Sequence, residues 1–368
     1  MRLLLTAIGC FIILGLHGCS EDFTVAAPYK QVTVVAGILD MKDTAHYIRI
    51  QKAFMDEHKS AIEMSKEPDS SFYRDLEVKL YEYDSAQVKV LDSVVLFRVD
   101  LNQEGYRKKD PINDQQFFTS PHHAYKFTNT QWAARSHMLS PRLWYRLTIN
   151  NKQTGHIDSS DFVGIVNSDS NRTFEGLYVQ EFQLTNYIID FSKTTAISQY
   201  KLSPFLPRNG RMLEGYIRFH YVERNVVTRD TVRKQVDYAF DNEMNAQTVG
   251  ARAELQTLNS NIYGFLNSAI GPAPANIERL MDSCDVFVYA ASPEIYYYTI
   301  INQGQTGTIT SDNIQPNYTN FKGTDVIGVL GSRGMRSYYG ASISKVTIDS
   351  LRESPVTASL RITGVSED

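Results

Sequence analysis

Short segments that alternate apolar and polar positions recur along most of the chain. Residues 31–39 are rich in β-branched side chains and residues 46–51 alternate apolar with polar, which predicts a hairpin across the turn between them. The polar connection over residues 54–74 is longer than a usual turn, so it is a lid, a short helix or a surface loop. Because several short strands joined by polar turns are typical of a sandwich, residues 28–166 are predicted to form an immunoglobulin- or transthyretin-like β-sandwich. The remaining strands predicted in this half cover residues 76–83, 88–99, 124–128 and 144–149.

The second half of the chain combines such segments with two of helical period. An apolar stripe over residues 262–270, ended by Gly271 and Pro272, predicts a helix that begins at Asn259 or Ser260. A second helix is predicted after Ser292, with Pro293 in its first position. Taking the polar run 167–173 as the boundary, residues 167–368 are predicted to form a mixed, mainly antiparallel β domain with two or three short helices, so the fold class is mainly β (α+β). The strands predicted in this half cover residues 177–189, 212–223, 232–240, 286–289, 323–334 and 346–348.

The first 18 residues have the pattern of a targeting segment. Arg2 precedes an apolar run over residues 3–16, which fits the hydrophobic part of a signal peptide and is too short to span a membrane. The run ends in Leu16-His17-Gly18-Cys19, which resembles a bacterial lipobox. Residues 1–18 are therefore predicted to be a lipoprotein signal peptide, with Cys19 as the lipid attachment site. The alternative is a simple secretory peptide with an incidental cysteine.

A lipidated Cys19 would place the protein on a membrane without a spanning helix. Several acyl chains on one cysteine give the stable anchoring that a single chain does not. Residues 19–27 are then a tether, and Ser20-Glu21-Asp22-Phe23 resembles the acidic signal that sends lipoproteins of Bacteroidota to the outer face of the outer membrane. The predicted location is the outer membrane, on the cell surface, although a short acidic stretch is more often a solvated tether.

Composition excludes several classes of protein. The 368 residues are 42% hydrophobic and 21% charged, which is typical of a folded chain and not of a disordered or multi-span membrane protein. The net charge of -4, without a strongly basic segment, excludes nucleic acid as a partner. Three cysteines, of which only Cys284 remains free after cleavage and lipidation, predict neither a disulfide scaffold nor a zinc site.

Catalytic motifs are absent or incomplete in the sequence. His122 and His123 are adjacent, so in a strand they point to opposite faces and do not chelate a metal together. The segment around Ser332 lacks the first glycine of a nucleophile elbow, and Ser342 opens a Ser-x-x-Lys match without its companion motifs. Cys284 lies near two aspartates, which raise a thiol pKa. We therefore predict no catalytic residue, no metal, no cofactor and no enzymatic activity.

Two further surface features come from composition. The tyrosine clusters at residues 296–298 and 338–339 offer rings that stack on sugar or peptide, but tyrosine is also a common strand residue. Asp followed by Ser or Thr and a small or aliphatic residue resembles the O-glycosylation motif of Bacteroidota, although Asp-Ser and Asp-Thr turns explain the same pattern. The candidate O-glycosylation residues are Thr44, Ser85, Ser93, Thr231 and Ser350.

The order of several weak motifs gives the chain a family resemblance. The lipobox, the Val-Val-Ala-Gly-Ile strand near residue 35, Pro68-Asp69-Ser70, the helix over residues 262–270 and the late segments 315–320 and 326–333 follow one another. Together they resemble uncharacterised outer-membrane lipoproteins of Bacteroidota that share a domain of unknown function. The resemblance implies a role beside an outer-membrane receptor of the TonB-dependent kind, and it implies no catalytic residues.

Three classes of function remain open from the sequence. The first is a cell-surface binding or accessory lipoprotein, held to the membrane by its lipid anchor and partnered by an outer-membrane receptor. The second is a fimbrial or adhesive subunit that donates a strand to its neighbour, which requires cleavage after an arginine such as Arg49. The third is a hydrolase, which requires a pocket with convergent titratable groups of perturbed pKa.

Overall fold

The structure is a computed structural model that describes residues 30–55, 61–107, 118–132, 139–171, 175–183, 187–240, 243–244, 248–304, 318–323 and 325–365. Within these residues the fold is mainly β with a few short helices, which confirms the predicted fold class. The predicted signal peptide, the tether and Cys19 lie outside the described residues.

Eight strands of the first half surround one core. Strand order is β1-β2-β5-β4-β3-β6-β7, all antiparallel, with β8 also on β6. Strand β4 pairs with β3 over residues 90–96 and with β5 over residues 97–100. It therefore joins strands β3, β6 and β7 to strands β1, β2 and β5. The strands are β1 (Lys30–Leu39), β2 (Ala45–Met55), β3 (Leu76–Tyr83), β4 (Val90–Asp100), β5 (His123–Thr128), β6 (Trp144–Asn151), β7 (Ile157–Ser160) and β8 (Val163–Gly164).

The second half contains the longest strands and helices among the described residues. Its main sheet has the order β12-β11-β15-β17, and two short helices lie earlier, in the polar connection after β2. The strands are β9 (Ile188–Ile189), β10 (Gln199–Leu202), β11 (Met212–Asn225), β12 (Thr231–Ala239), β13 (Glu243–Met244), β14 (Leu255–Leu258), β15 (Ile277–Ala291), β16 (Phe321–Lys322), β17 (Val326–Ile343) and β18 (Ile362–Val365). The helices are α1 (Ala61–Met64), α2 (Pro68–Ser71), α3 (Asn259–Ile270), α4 (Pro293–Gly304) and α5 (Lys345–Glu353).

Strand β17 belongs to both halves of the molecule. Its first part, residues 326–332, pairs in parallel with residues 33–39 of β1. Its second part, residues 333–342, pairs antiparallel with residues 283–291 of β15. The two sheets are therefore joined by one uninterrupted backbone of 18 residues.

Buried polar side chains complete the hydrogen bonds of β17 where it has no strand beside it. The Asn320 side chain donates to the Leu330 carbonyl at 2.7 Å and accepts from the Leu330 N–H at 3.0 Å, as a neighbouring strand would. The Ser332 N–H donates to the Ser292 hydroxyl, and the Ser332 hydroxyl accepts from the Val166 N–H at 2.8 Å. Because buried backbone groups need partners, these side chains fix the place where β17 passes from β1 to β15.

The buried apolar residues form two clusters. One contains residues between Val35 and Ile165 together with Phe321, Val326 and Leu330, and the other runs from Val166 to Ile362. The clusters change over next to the boundary predicted at residue 167. The C-terminal part of the chain nevertheless returns to the first core through residues 321–330.

Two of the predicted strands are wrong. Residues 177–179 are all buried and so do not alternate, and among the described residues of the predicted strand 177–189 only Ile188–Ile189 pairs in a ladder. Residues 346–348 lie in helix α5, because the Ser344 side chain caps its first turn by accepting from the Thr347 N–H at 3.0 Å. The two predicted helices are confirmed as α3 and α4.

The glycine-rich segment at the start of β17 is a tightly packed strand. Gly328 has φ of +138°, and a Cβ there would lie 2.0 Å from the carbonyl oxygen of Val35. We expect Gly328→Ala to lower the free energy of unfolding by at least about 2 kcal/mol, because the paired strands must separate and the backbone is strained. Chemical denaturation measures the change.

Gly264→Ala is the matched control for this substitution. Gly264 lies in helix α3, and a Cβ added there would have no heavy atom within 4 Å, so we expect no loss and a gain of up to about 1 kcal/mol. Equal destabilisation by both substitutions would contradict the close approach of β17 to β1.

The place where β17 passes from β1 to β15 also contains a carboxyl group whose pKa is raised. Burial raises the pKa of Glu294 above its ordinary value of 4.5, while the Ser292 hydroxyl donates to it at 2.5 Å. A carboxyl whose pKa is raised on folding costs stability once the pH exceeds its unfolded pKa. We expect the free energy of unfolding of Glu294→Gln, relative to the unsubstituted protein, to rise as the pH increases from about 4 to about 7.

Denaturation curves across this pH range test the expectation. Glu353→Gln is the control, because the Glu353 side chain is 75% exposed at the end of α5. A difference between Glu294→Gln and the unsubstituted protein that stays constant or falls with pH would contradict it.

Candidate functional site

The outer face of β1 carries two adjoining concavities. Val35 and Leu39 point into the core, so the alternation of the strand places Val34, Ala36 and Ile38 on its outer face. Ile38 is 47% exposed. Both concavities include residues 36–38, and they lie on either side of this strand.

The first concavity is an open cleft of about 710 Å³ on the β2 side of β1. Its walls combine exposed aromatic rings with arginine side chains and the apolar outer face of β1. The side chains that define its character are Ile38, Tyr47, Arg49, Tyr106 and Arg333. We call this concavity the arginine cleft.

One wall of the arginine cleft is held by a compact polar cluster. The Tyr47 hydroxyl donates to Glu104 at 2.8 Å, and the Lys126 ammonium donates to the same carboxylate oxygen at 2.6 Å. Lys126 also lies 5.4 Å from the centre of the Tyr47 ring, and Tyr106 packs edge-on against that ring at 5.4 Å. Hydrogen bonds from Lys126 and Tyr47 lower the pKa of Glu104. This carboxylate is therefore ionised, and the Lys126 ammonium group balances its charge.

The two arginines of the cleft lack close carboxylate partners within the described part of the chain. Arg49 donates from one Nη atom to the Gln51 side chain at 3.1 Å, and its Nε atom is buried without a hydrogen-bond partner among the described residues. The Nε atom of Arg333 lies 3.9 Å from Asp40, beyond hydrogen-bonding distance. Among the described residues, neither guanidinium group is therefore hydrogen-bonded to a carboxylate.

His46 lines the cleft but does not form an acid–base pair there. Its ring stacks on the buried Phe127 with centroids 4.6 Å apart, and only 2% of the residue is exposed. Burial lowers the pKa of His46, while Asp43 and Asn129 raise it. The neighbouring Tyr47 leaves β2 on the opposite face, so the two titratable groups do not converge.

The second concavity is an apolar groove of about 480 Å³ on the other side of β1. Helix α4 forms one wall with Ile295 and Tyr298, and strand β17 contributes Ile327 and Val329. Tyr298 is 48% exposed. We call this concavity the apolar groove.

The candidate glycosylation residues occupy different environments. Thr44, Ser85, Ser93 and Thr231 are exposed, and Thr44 lies at the edge of the arginine cleft. Ser350 is half-buried: its hydroxyl donates to the Ser192 carbonyl at 3.0 Å and accepts from the Tyr263 hydroxyl at 2.9 Å. A glycan on Ser350 would break both hydrogen bonds, whereas the other four hydroxyls have space for one.

Two serines of the incomplete catalytic motifs lie in strand β17. Ser332 is buried, and Ser342 pairs with Ser283 in the ladder between β17 and β15. Burial raises the pKa of the Cys284 thiol well above its ordinary value, and the negative charges of Asp285 and Asp282 raise this pKa further.

The two adjacent histidines do not form a metal site. In β5, the ring of His123 packs edge-on against the ring of Phe72. The Nδ1 atom of His122 lies 3.3 Å from the carbonyl oxygen of Tyr106. Within the described part of the chain, no three His, Cys, Asp or Glu residues are grouped so as to hold a metal ion.

The tyrosine clusters divide between packing and surface. Tyr338 stacks on Phe182 at 4.3 Å, and its hydroxyl accepts a hydrogen bond from the Val179 N–H at 2.9 Å, so its role is structural. Tyr339 is 70% exposed on the outer face of the second sheet. In the helical cluster, Tyr298 lines the apolar groove, because consecutive helix positions face different directions.

Sequence reasoning missed both concavities. The alternation of β2 places Tyr47, Arg49 and Gln51 on one face, so a cationic and aromatic face was visible in the sequence. Nothing in the sequence places Arg333 or helix α4 beside that face, because their position depends on the parallel pairing of β17 with β1.

Two observations complete the description of the site. Of the helices that the structure describes, none has both the length and the apolar character needed to cross a membrane. No family model and no curated protein matches this chain. The function is therefore proposed from the residues themselves and from the resemblance stated above.

Proposed function

We propose that the mature protein is an outer-membrane lipoprotein, displayed on the cell surface, that acts as a binding or accessory component beside a TonB-dependent receptor. The observation that carries this proposal is the lipobox Leu16-His17-Gly18-Cys19 directly after an apolar run of signal-peptide length. The acidic residues that follow Cys19 support display on the outer face.

The orientation of β1 is consistent with this role. Ten residues separate Cys19 from Lys30, so the start of β1 lies within about 35 Å of the lipid anchor. The arginine cleft adjoins residues 36–38, about 20 Å further along the strand. Strand β17 runs parallel to β1 and continues beyond its end, so the cleft and the second sheet lie towards the end of β1 that is farther from Lys30.

Binding is favoured over catalysis by the chemistry of the concavities. The arginine cleft offers guanidinium donors and aromatic rings, and the apolar groove offers aliphatic and tyrosine side chains. Around the cleft, Glu104 and Lys126 form an ion pair with each other and His46 faces the core. These are features of a recognition surface, and the hydrolase alternative would need a convergent acid and base.

The fimbrial alternative is disfavoured by the position of β1. Strand β1 pairs with β2 on one edge and β17 on the other, and Arg49 lies inside the β1–β2 ladder opposite Ala36. Cleavage after Arg49 would remove β1 together with residues 45–49 of β2, so residues 326–332 of β17 and the whole β2 ladder of β5 would lose their partners. Strand donation is therefore the less favoured route to a surface function.

Substitution of the proposed lipid attachment residue tests the location. We expect Cys19→Ala to abolish incorporation of a labelled fatty acid. We also expect this variant to be lost from the outer-membrane fraction in which the unsubstituted protein is found. Cys284→Ala is the matched control, because this buried cysteine would leave labelling unchanged. Labelling of Cys19→Ala at the level of the unsubstituted protein would contradict lipidation at this residue.

The accessory role predicts a stable neighbour in the outer membrane. We expect the protein, carrying a C-terminal affinity tag and extracted in mild detergent after cross-linking, to co-purify with one outer-membrane receptor at near-stoichiometric amounts. The tagged Cys19→Ala variant is the control, since it would not reach the membrane that holds the receptor. Recovery of the lipidated protein without any outer-membrane protein enriched above that control would contradict the accessory role.

A further inference from the structure

We propose that the arginine cleft and the apolar groove form one binding trough for an amphiphilic anion, an aliphatic chain that ends in a carboxylate or phosphate. The anionic head would lie between Arg49 and Arg333, and the aliphatic tail would lie along β1 between helix α4 and strand β17. This inference rests on the proposed binding role, and it names the class of ligand.

The first step is the continuity of the two concavities. Both are lined by residues 36–38 of β1, which they share as a floor. Ala36 is exposed at this shared floor and carries only a methyl group. A ligand can therefore pass from one concavity to the other across Ala36, beside the exposed side chain of Ile38.

The second step is the charge of the cleft. Strands β2 and β17 flank β1 at a spacing of about 4.8 Å each; Arg49 lies opposite Ala36, and Arg333 follows the last pair, Leu39–Ser332, so the two arginines stand on either side of β1 and about four residues apart along it. The described residues that line the cleft include these two arginines and one acidic residue, Asp43, so the lining carries more positive than negative charge. The Arg333 side chain is 49% exposed, and among the described residues no carboxylate lies within hydrogen-bonding distance of it, so its donors are accessible to an anion in the cleft. The cleft is complementary to a negative group.

The third step is the chemistry of the groove. Its walls are aliphatic and aromatic, and the polar side chains among its described lining residues are few, namely Thr299, Asn302 and the hydroxyls of Tyr298 and Tyr318. Burial raises the pKa of Tyr318 to about 12, so its hydroxyl remains neutral at physiological pH. A contiguous apolar surface of this kind is complementary to an aliphatic chain and not to a second charged group.

Calorimetric titration with saturated fatty acids tests the trough. The protein would be the chain that begins at Ser20, which retains every residue the structure describes, and the probes would be octanoate, decanoate and dodecanoate below their micelle concentrations. We expect affinity to rise by up to about fourfold for each methylene added, because each buried methylene contributes a fixed free energy. Decyl phosphate compares the two head groups, and decyltrimethylammonium reverses the charge.

Variants assign the two ends of the ligand. We expect Arg49→Gln with Arg333→Gln to weaken decanoate binding at least tenfold and to leave the fold-increase per methylene unchanged. We expect Ala36→Trp, which fills the shared floor, to reduce the fold-increase per methylene towards one. Arg352→Gln is the matched control, because Arg352 is exposed on α5 and pairs with Asp349.

Several outcomes would overturn the proposal. They are no binding of dodecanoate at millimolar concentration, equal binding of decyltrimethylammonium, or binding that is unchanged by the double arginine substitution in protein whose unfolding transition is intact. Because binding is measured in solution, these outcomes are independent of the lipid anchor and the receptor partner, and loss of labelling at Cys19 would in turn leave the trough standing.

Discussion

The hydrogen bonds of strand β17 are the constraint on which the rest of the structure depends. Every buried N–H and C=O group needs a partner, and β17 meets this need with β1 over its first part and β15 over its second. Where no strand pairs with β17, the Asn320 side chain bonds both backbone groups of Leu330, and the Ser292 hydroxyl accepts from the Ser332 N–H. Because one rigid strand serves both sheets, the two halves have a fixed relation, and any change that separates β17 from β1 would disturb both cores.

The same strand creates the apolar groove. Gly331 lies under helix α4, where a Cβ atom would come within 2.6 Å of the Ile295 side chain, so the helix approaches the sheet closely at this point. Helix α4 begins at Pro293, directly after the Ser292 hydroxyl that is bonded to β17. Its later turns pass the outer face of β1, and Tyr298 lines the gap that remains between helix and sheet. The groove is thus a consequence of where the helix is held.

The sequence was informative where structure is local and uninformative where it is not. Alternation located β3 over residues 76–83, and the capping pattern located the start of α4, because both signals depend on residues close together in the chain. The β-branched residues at 346–348 misled, since the Ser344 cap and the buried stripe of Thr347, Ile348 and Leu351 favour a helix. The candidate site needs Arg49 and Arg333 to line one cleft, and the parallel pairing of β17 with β1 that brings such distant residues together leaves no local signal.

The contrast between β1 and β2 on their shared outer face is the strongest argument that this face binds a ligand. Strand β2 presents Tyr47, Arg49 and Gln51 there, as expected of a face in contact with water. Strand β1, its direct neighbour, presents Val34, Ala36 and Ile38 instead. Single exposed apolar residues are common on protein surfaces, but a row of them facing the apolar side of a helix requires an explanation. A row of polar donors beside a row of apolar side chains matches a molecule that is itself polar at one end and apolar along the rest.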